Sequence, residues 1–378
     1  MYVRYFHIVA LLLLLSSAAF GASTALDRQE LGQALFFDKN LSLTRNQSCS
    51  SCHEPGMAFS DSRDNGVSGA VSLGDDGRSL GNRNTPTITY ASHIPVFHQN
   101  ENGEYVGGFF LDGRSATMDE QAREPFLNPI EMAMPDSAAV VARVRENPVY
   151  ERALQANFGK AVFSDDERAF SAIAASIVAF ESSASFSTFD SKYDRYLRGE
   201  YTLTGQEEIG RLLFFSQLVN CHSCHLSDLR ETANRELFSS QKYFNIGIPA
   251  NHVVRDKNGE STPDVGLLAN PQVNDPSQAG KFRVPSLRNV AVTGPYMHNG
   301  VFQELETAIL FYDKYLLSTA GSQTNPESGA AWGEPEVTEN IDRSLLRVGQ
   351  PITPERAGAL AAFLRTLTDQ RYEALLDN

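Results

Sequence analysis

The sequence has few cysteines, a single tryptophan and a shortage of positive charge. Its 378 residues include four Cys, one Trp, and 32 Lys and Arg against 46 Asp and Glu. Four cysteines are too few for a disulfide scaffold in a chain of this length. The formal net charge of −14 argues against nucleic acid as a partner, because such binding depends on clustered Lys and Arg. Long apolar runs are lacking beyond the N-terminus, so we expect no membrane span in the mature chain.

The N-terminal segment carries the one prominent apolar run. It extends from Ile8 to Leu15, follows Arg4, and gives way to small residues that end at Ala22. This order is typical of a secretory signal peptide, and the run is too short to span a bilayer comfortably. We therefore predict a signal peptide at residues 1–22 and export of the remainder, with an uncleaved anchor as the alternative.

An internal repeat relates the two halves of the chain. Residues 30–37 read ELGQALFF and residues 208–215 read EIGRLLFF, an offset of 178 positions. Each segment has the apolar spacing of a helix, and each precedes a pair of cysteines. Two copies of one helical domain are the simplest explanation. We predict an all-α fold of two tandem domains with long loops, at residues 23–185 and 186–378.

Capping signals predict three longer helices. Ser164 and Glu167 have the spacing of a capping box, which indicates a helix from about 165 to 181. The Thr-x-x-Glu segment at 204–207 repeats that signal before the second cysteine pair. Thr-Pro at 353–354 is typical of a helix start and predicts a last helix near the C-terminus.

Both cysteine pairs belong to a C-x-x-C-H pattern. Residues 49–53 read CSSCH and residues 221–225 read CHSCH, which matches the attachment signature of c-type haem. Two thiols one helical turn apart can bond the vinyl groups of one porphyrin, and the adjacent histidine can bind the iron. A thioredoxin-like redox pair, a zinc site and two strained disulfides are the alternatives. Two matches behind the same helix pattern favour two covalently bound haem c groups, with these attachment and iron-binding residues: Cys49, Cys52 and His53, and Cys221, Cys224 and His225.

The sixth iron ligands decide between an electron carrier and an enzyme. No histidine lies between Glu54 and Ser92, so the loop after the first haem offers no distal histidine. Met57 is so close to His53 in the sequence that packing beside the haem is the favoured interpretation. An iron left open can bind peroxide or oxygen. The first iron is therefore our candidate for an open site.

Several longer motifs make the sequence resemble the bacterial dihaem cytochrome c peroxidases, and within them the MauG-like subgroup. They are LGQALFFDKNLS at 31–42, RNTPT at 83–87, DGR at 112–114, PFLNPIEM at 125–132, FRVPSLRN at 282–289 and GPYMHNG at 294–300. The motifs extend over nearly the whole mature chain. The resemblance implies tandem cytochrome c-like domains, a periplasmic location and hydrogen peroxide as a substrate.

The resemblance also implies roles for individual residues. Glu131 falls where the family has a distal glutamate, whose carboxyl group serves as general acid and base for cleavage of the peroxide bond. Gln121 matches the polar neighbour that orients the ligand. Asn84, Thr293 and Pro295 match positions that hold a calcium ion between the haems, the last two through backbone carbonyls, with water completing the shell.

Tyr312 distinguishes the subgroup. At this position ordinary peroxidases of the family have a methionine ligand to the second iron, whereas the MauG-like proteins have a tyrosine. A phenolate oxygen favours ferric iron, and a thioether favours ferrous iron. We therefore predict an open first haem and a second haem with His225 and Tyr312 as ligands; a core tyrosine on a helix face is the alternative.

Two features depart from the family pattern. Relatives commonly have a tryptophan relay between the haems immediately before Asp-Gly-Arg, where this chain has Leu111. The connection at 88–111 is also longer than usual, and its His98 is an alternative ligand for the first iron. Both departures put the coupling between the haems in question.

These features together predict a periplasmic dihaem c-type peroxidase. Hydrogen peroxide would be reduced at the open first haem, and the second haem would relay or store electrons supplied by a small cytochrome c or a cupredoxin. One alternative is a MauG-like enzyme that uses peroxide to oxidise side chains of a partner protein. A second alternative is a dihaem electron-transfer protein without catalysis. A homodimer is common among the relatives.

Overall fold

The computed structural model describes residues 25–63, 65–226 and 235–377, so the predicted signal peptide lies outside the described residues. The described chain is mostly helical, with two short antiparallel ladders and many 3₁₀ turns. Within those three ranges, no helix combines the length and the apolar character needed to cross a membrane.

The α-helices of the first half are Arg28–Phe37 (α1), Cys49–Cys52 (α2), Met118–Gln121 (α3), Glu124–Leu127 (α4), Ser137–Arg145 (α5), Pro148–Phe158 (α6) and Asp166–Glu181 (α7). Those that follow are Lys192–Leu197 (α8), Gly205–Phe214 (α9), His252–Asn258 (α10), Leu305–Phe311 (α11), Arg343–Leu346 (α12) and Pro354–Arg365 (α13). The strands are His98–Gln99 (β1), Tyr105–Val106 (β2), Tyr243–Phe244 (β3) and Phe282–Arg283 (β4), and they pair as β1 with β2 and β3 with β4.

All three predicted helices are present, and the predicted cap residue is confirmed for two of them. Thr204 forms a capping box before α9, and Thr353 caps α13 with proline at the first helical position. The predicted cap of α7 is wrong by one residue: Asp165, not Ser164, accepts the hydrogen bond from the backbone N–H of Arg168, at 3.2 Å. A carboxylate caps a helix N-terminus as well as a hydroxyl does and adds a favourable charge there, which explains the shift.

Both repeat segments form helices, and each crosses a later helix at a glycine. A Cβ atom on Gly32 of α1 would lie 1.8 Å from the carbonyl oxygen of Ser176 in α7. A Cβ atom on Gly210 of α9 would likewise lie 1.8 Å from the carbonyl oxygen of Ala359 in α13. Only a residue without a Cβ allows backbones to approach so closely. The repeat in the sequence is therefore also a repeat in helix packing.

Two large apolar clusters surround these crossings. The first draws its buried residues from Leu31 to Phe186 and includes α1, α5 and α7. The second extends from Tyr193 to Leu367 and includes α9 and α13. The domain limits 23–185 and 186–378 stay a prediction, and Phe186 packs in the first cluster.

The long connection at 88–111 lies against the second half of the chain. Its β1–β2 hairpin is followed by Gly107, whose N–H donates to the carbonyl of Gln241 at 2.9 Å. The hydroxyl of Tyr243 donates to the carbonyl of the same glycine. These bonds join the hairpin to the segment that precedes and enters β3.

Candidate functional site

The histidines of the two C-x-x-C-H clusters are held in the same way. The Nδ1 atom of His53 lies 3.1 Å from the carbonyl oxygen of Phe59, and Nδ1 of His225 lies 3.1 Å from that of Phe238. A carbonyl can only accept, so Nδ1 carries the hydrogen and Nε2 keeps its lone pair. Burial lowers the pKa of both imidazoles, that of His225 to about 4. Both rings are therefore neutral, with Nε2 left able to bind a metal.

The surroundings of the four cysteine side chains favour a neutral thiol over a thiolate. The cysteines form no disulfide. Burial raises the pKa of all four, to about 11 for Cys52 and to about 12 for Cys221 and Cys224. A thioredoxin-like or zinc-binding cysteine instead has a lowered pKa, because its thiolate is stabilised. Among the described residues there is also no cluster of three or more His, Cys, Asp or Glu suited to a metal ion. The surroundings of the four thiols thus do not favour a thiolate, and the haem assignment rests on the two C-x-x-C-H motifs.

A cavity of about 350 Å³ adjoins the second cluster. Cys221, Cys224, His225 and Tyr312 line it. The rest of its wall is largely apolar and includes Phe214, Leu287, Ile309 and Leu364. A predominantly apolar pocket with a few convergent polar groups is the usual form of a cofactor site. The residues present therefore fit a haem attached through two thiols and ligated by a histidine.

Tyr312 lies at the C-terminal end of α11 and borders this cavity. Burial raises the pKa of its phenol, and the nearby thiols of Cys224 and Cys221 add to the effect. Phe311, its neighbour in the sequence, is fully buried and anchors the end of the helix in a different apolar cluster. The phenol and the His225 ring thus share one cavity, and the ligand role of Tyr312 stays a prediction.

Glu131 lies within electrostatic range of the first cluster. Its carboxylate accepts a hydrogen bond from Nδ2 of Asn128 at 2.7 Å. Burial raises the pKa of the carboxyl group, and the positive charge of Arg114 partly opposes this shift. The negative charge of Glu131 in turn contributes to the raised pKa of Cys49 and Cys52. The structure therefore brings this carboxyl group close to the first haem attachment site.

Gln121 is half-buried at the end of α3. The capping box of Thr117 and Glu120 fixes the start of this one-turn helix, and α3 packs against α7. Its ligand-orienting role stays a prediction.

The three predicted calcium residues all border the cavity of the second cluster. Nδ2 of Asn84 donates to the carbonyl of Ala70 at 3.1 Å, an orientation in which Oδ1 can act as a ligand. The hydroxyl of Thr293 donates to the carbonyl of Asn289 at 3.2 Å. Pro295 has no N–H and offers only its carbonyl oxygen. Oxygen donors of this kind suit calcium, and the site stays a prediction.

The two departures from the family pattern have different outcomes. Leu111 borders the cavity and is almost fully buried, and its position between the haems stays a prediction. His98 is exposed in β1, and its Nδ1 lies 2.8 Å from the carbonyl oxygen of Val96. A ligand of a buried iron must itself be buried, so the structure does not support His98 as a ligand of the first iron.

Glu181 is a buried acidic residue that the sequence reasoning missed. It ends α7, is 6% exposed, and its charge contributes to the raised pKa of Cys49. Burial raises its own pKa to about 8. The signal was present in the sequence, because Ile173, Ile177 and Glu181 follow each other at the four-residue spacing of one buried helix face.

Comparisons with known proteins point to one family. Residues 27–202 match the family model of the di-haem cytochrome c peroxidases. Methylamine utilization protein MauG of Paracoccus denitrificans is 51% identical over 349 residues, which cover 92% of this chain and 90% of that protein. Cytochrome c551 peroxidase of Pseudomonas aeruginosa is 31% identical over 285 residues, 75% of this chain and 70% of that protein.

Solved structures that resemble this chain include a diheme peroxidase and a MauG-like protein. The diheme peroxidase BthA of Burkholderia thailandensis superposes with a TM-score of 0.78 at 30% identity, covering 93% of this chain and 90% of that one. A MauG-like protein associated with microbial copper homeostasis superposes with a TM-score of 0.67 at 31% identity, covering 91% and 92%.

The fold and the two histidine sites define a c-type haem protein with two attachment clusters. The chain belongs to the di-haem cytochrome c peroxidase family, and it is related both to MauG and to the cytochrome c peroxidases. The family match and these relatives confirm the predicted family, the mostly helical fold and the pair of c-type haems. They also confirm the class of activity, an oxidoreductase that acts with peroxide.

Proposed function

We propose that this enzyme uses hydrogen peroxide to oxidise side chains of a partner protein, as the MauG-like alternative predicts. The observation that carries the proposal is Tyr312 beside the second cluster, where an ordinary peroxidase of the family would have a methionine. The 51% identity to a MauG protein supports it. Reduction of peroxide by a small cytochrome c or a cupredoxin is the second candidate, since peroxidases of the family are also relatives.

The haems would be held by residues already described. Cys49, Cys52 and His53 would hold the first, and residues 221–225 together with Tyr312 would hold the second. When bound, the haems supply an open iron that accepts peroxide and a second iron that stores or relays an oxidising equivalent.

The chain itself would orient the iron ligands. The carbonyls of Phe59 and Phe238 accept the Nδ1 hydrogens of His53 and His225, which fixes the tautomer and the direction of Nε2. Such a bond also increases the basicity of the ligating nitrogen. Because the same arrangement occurs twice, the difference between the two sites would arise on their distal sides.

Glu131 would move the protons on the distal side of the first site. Burial raises the pKa of its carboxyl group, so its carboxylate is a stronger base than an exposed one, and the hydrogen bond from Asn128 holds one of its oxygens. A carboxyl group with a raised pKa can accept a proton from one oxygen of peroxide and return it to the other. Gln121 would hold the ligand in the orientation that this transfer requires. Asn84, Thr293 and Pro295 would bind calcium near the second site.

The compartment and the assembly are further parts of the proposal. We propose that residues 1–22 are removed on export and that the mature enzyme works in the periplasm, where the two haems are attached to reduced thiols. A homodimer stays a prediction that sedimentation of the purified holoprotein can check.

The test compares two acceptors of the oxidising equivalents. Purified diferric protein is mixed with hydrogen peroxide and either a reduced small cytochrome c or a candidate protein encoded by a neighbouring gene. We expect a haem spectral change with peroxide, and new side-chain oxidation in the candidate protein by mass spectrometry. Fast oxidation of the cytochrome with no modified protein would instead support the ordinary peroxidase. A diferric protein whose spectrum ignores peroxide would contradict both.

A further inference from the structure

One loop segment connects the two haem sites. The hydroxyl of Thr87 donates to the carbonyl of Ala58, in the turn that also holds His53. Thr87 and Tyr90 also border the cavity that contains His225. Residues 87–90 therefore contact the histidine loop of the first site and form part of the wall of the second.

Tyr90 is the redox-capable side chain of this segment. It is 1% exposed, and its N–H donates to the carbonyl of Phe186 at 2.8 Å. Phe186 in turn packs on Phe59, the residue whose carbonyl holds His53, with ring centroids 4.5 Å apart. An almost continuous line of packed groups thus joins the first site to Tyr90.

The hydroxyl of Tyr90 donates a hydrogen bond to the carboxylate of Asp369. Asp369 is fully buried, and Nδ2 of Asn289 donates to its other oxygen at 3.0 Å. Two further tyrosines border the cavity, Tyr296 and Tyr312, and no hydrogen bond from either hydroxyl to a carboxylate is present among the described residues. Of the three, Tyr90 is the one whose proton has a prepared acceptor.

We propose that Tyr90 relays electrons between the two haems, with Asp369 as its proton acceptor, in place of the relay that Leu111 cannot provide. This inference rests on the proposed function, since hydrogen peroxide is the oxidant. Tyr90 gives one electron to the oxidised first haem while its hydroxyl proton moves to Asp369. The neutral tyrosyl radical then takes one electron from the second haem and recovers the proton. The net result is one electron moved from the second haem to the first, with no net proton transfer.

Arg288 explains why the proton must move with the electron. Its guanidinium carbon lies 4.9 Å from the centre of the Tyr90 ring. The charge is held there by two bonds of 2.9 Å to the buried carboxylate of Asp194. A neighbouring positive charge destabilises a tyrosine radical cation but leaves a neutral radical almost unaffected. Burial raises the pKa of Asp369, which makes it a better proton acceptor.

The experiment measures electron transfer between the haems rather than turnover. Holoprotein with the second haem reduced is mixed with hydrogen peroxide, and oxidation of that haem is followed by stopped-flow absorption. In each sample this rate is compared with the peroxide-driven change at the first haem. We expect Tyr90→Phe and Asp369→Asn to slow oxidation of the second haem by roughly 10², as for a lost proton-transfer partner.

Tyr372→Phe is the matched control. Tyr372 is also buried near the C-terminus, but its hydroxyl donates no hydrogen bond to a carboxylate among the described residues. We expect this variant to keep the wild-type rate. Equal slowing in Tyr372→Phe and Tyr90→Phe would indicate a packing effect and overturn the relay.

Two measurements on the wild-type protein test the relay even if the variants fail to fold. Oxidation of the second haem should be slower in D₂O than in H₂O, and freeze-quenched samples should show a tyrosyl radical signal in electron paramagnetic resonance. An unchanged rate in D₂O, or in a folded Tyr90→Phe, overturns the relay and leaves the proposed function intact. A wild-type protein that does not react with peroxide overturns both.

Discussion

The carboxylate of Glu131 and the side-chain amide of Asn128 are joined by a hydrogen bond of 2.7 Å. Asn128 also accepts, through its own Oδ1, from the backbone N–H of Ile130 at 3.2 Å. The amide is thus oriented by the turn that presents Glu131 to the first cysteine cluster. The family resemblance predicts that this carboxyl group acts on the peroxide side of the first site, and its electrostatic effect on Cys49 and Cys52 is consistent with that prediction.

Replacing Glu131 by Gln should slow the reaction of the diferric protein with peroxide by roughly 10²–10⁴, the usual effect of losing a general acid or base. The shape of the side chain is retained and only proton transfer is lost. Stopped-flow absorption of the haem measures the rate. Glu124→Gln is a suitable control, because Glu124 bonds Arg114 and Ser115 instead. A wild-type rate in Glu131→Gln would remove this residue from the mechanism.

Tyr312→Phe should remove the oxygen ligand of the second iron. We expect its ferric low-spin signal to be replaced by a high-spin signal in electron paramagnetic resonance. Tyr312→Met offers a thioether instead and should restore a six-coordinate haem with a higher reduction potential. If Tyr312→Phe has the wild-type spectrum, the tyrosine is a core residue and not a ligand.

The glycines at the helix crossings should be intolerant of a methyl group. Gly210→Ala would place its Cβ 1.8 Å from a backbone oxygen, so α9 and α13 must separate. We expect a loss of at least about 2 kcal/mol in the free energy of unfolding, within the range for overpacked cores. Gly358→Ala in α13 meets no atom within 4 Å. This control should be neutral or stabilising, by up to about 1 kcal/mol, as thermal or denaturant unfolding can check.

Glu181 should make stability depend on pH. Its pKa is raised by burial from 4.5 to about 8 in the folded protein, so the folded state binds the proton more tightly than the unfolded state. Stability should therefore fall as the pH rises from about 4.5 to about 8, by on the order of a few kcal/mol. Glu181→Gln should flatten this part of the curve and raise the melting temperature at pH 8. A slope that the substitution leaves unchanged would mean that other groups cause it.

Local signals in the sequence predicted much of the fold. Three features could be predicted from pattern alone, because each depends on residues close together in the chain. They are the capping box at Thr204, the helix start at Thr353 and the helix repeated at residues 30–37 and 208–215. The cap of α7 was misassigned because Ser164 and Asp165 can both serve as N-cap, and only the backbone geometry chooses between them.

The C-x-x-C-H clusters could also be interpreted from the sequence, because thiols and ligand must be neighbours in the chain to act on one haem. The carbonyl partners of the two histidines, by contrast, could not be predicted from the sequence. Phe238 follows His225 by 13 positions, and nothing in the spacing indicates which carbonyl the ring will meet.

The sequence by itself determined the family, the two haem attachment sites and the helical repeat, since these depend on motifs of adjacent or regularly spaced residues. Only the tertiary structure decided which distant residues meet. It paired Tyr90 with Asp369, 279 positions away, and placed the 88–111 connection against the second half, with His98 exposed to solvent. Such contacts arise when whole helices pack to bury their apolar faces, and that packing involves the entire chain at once.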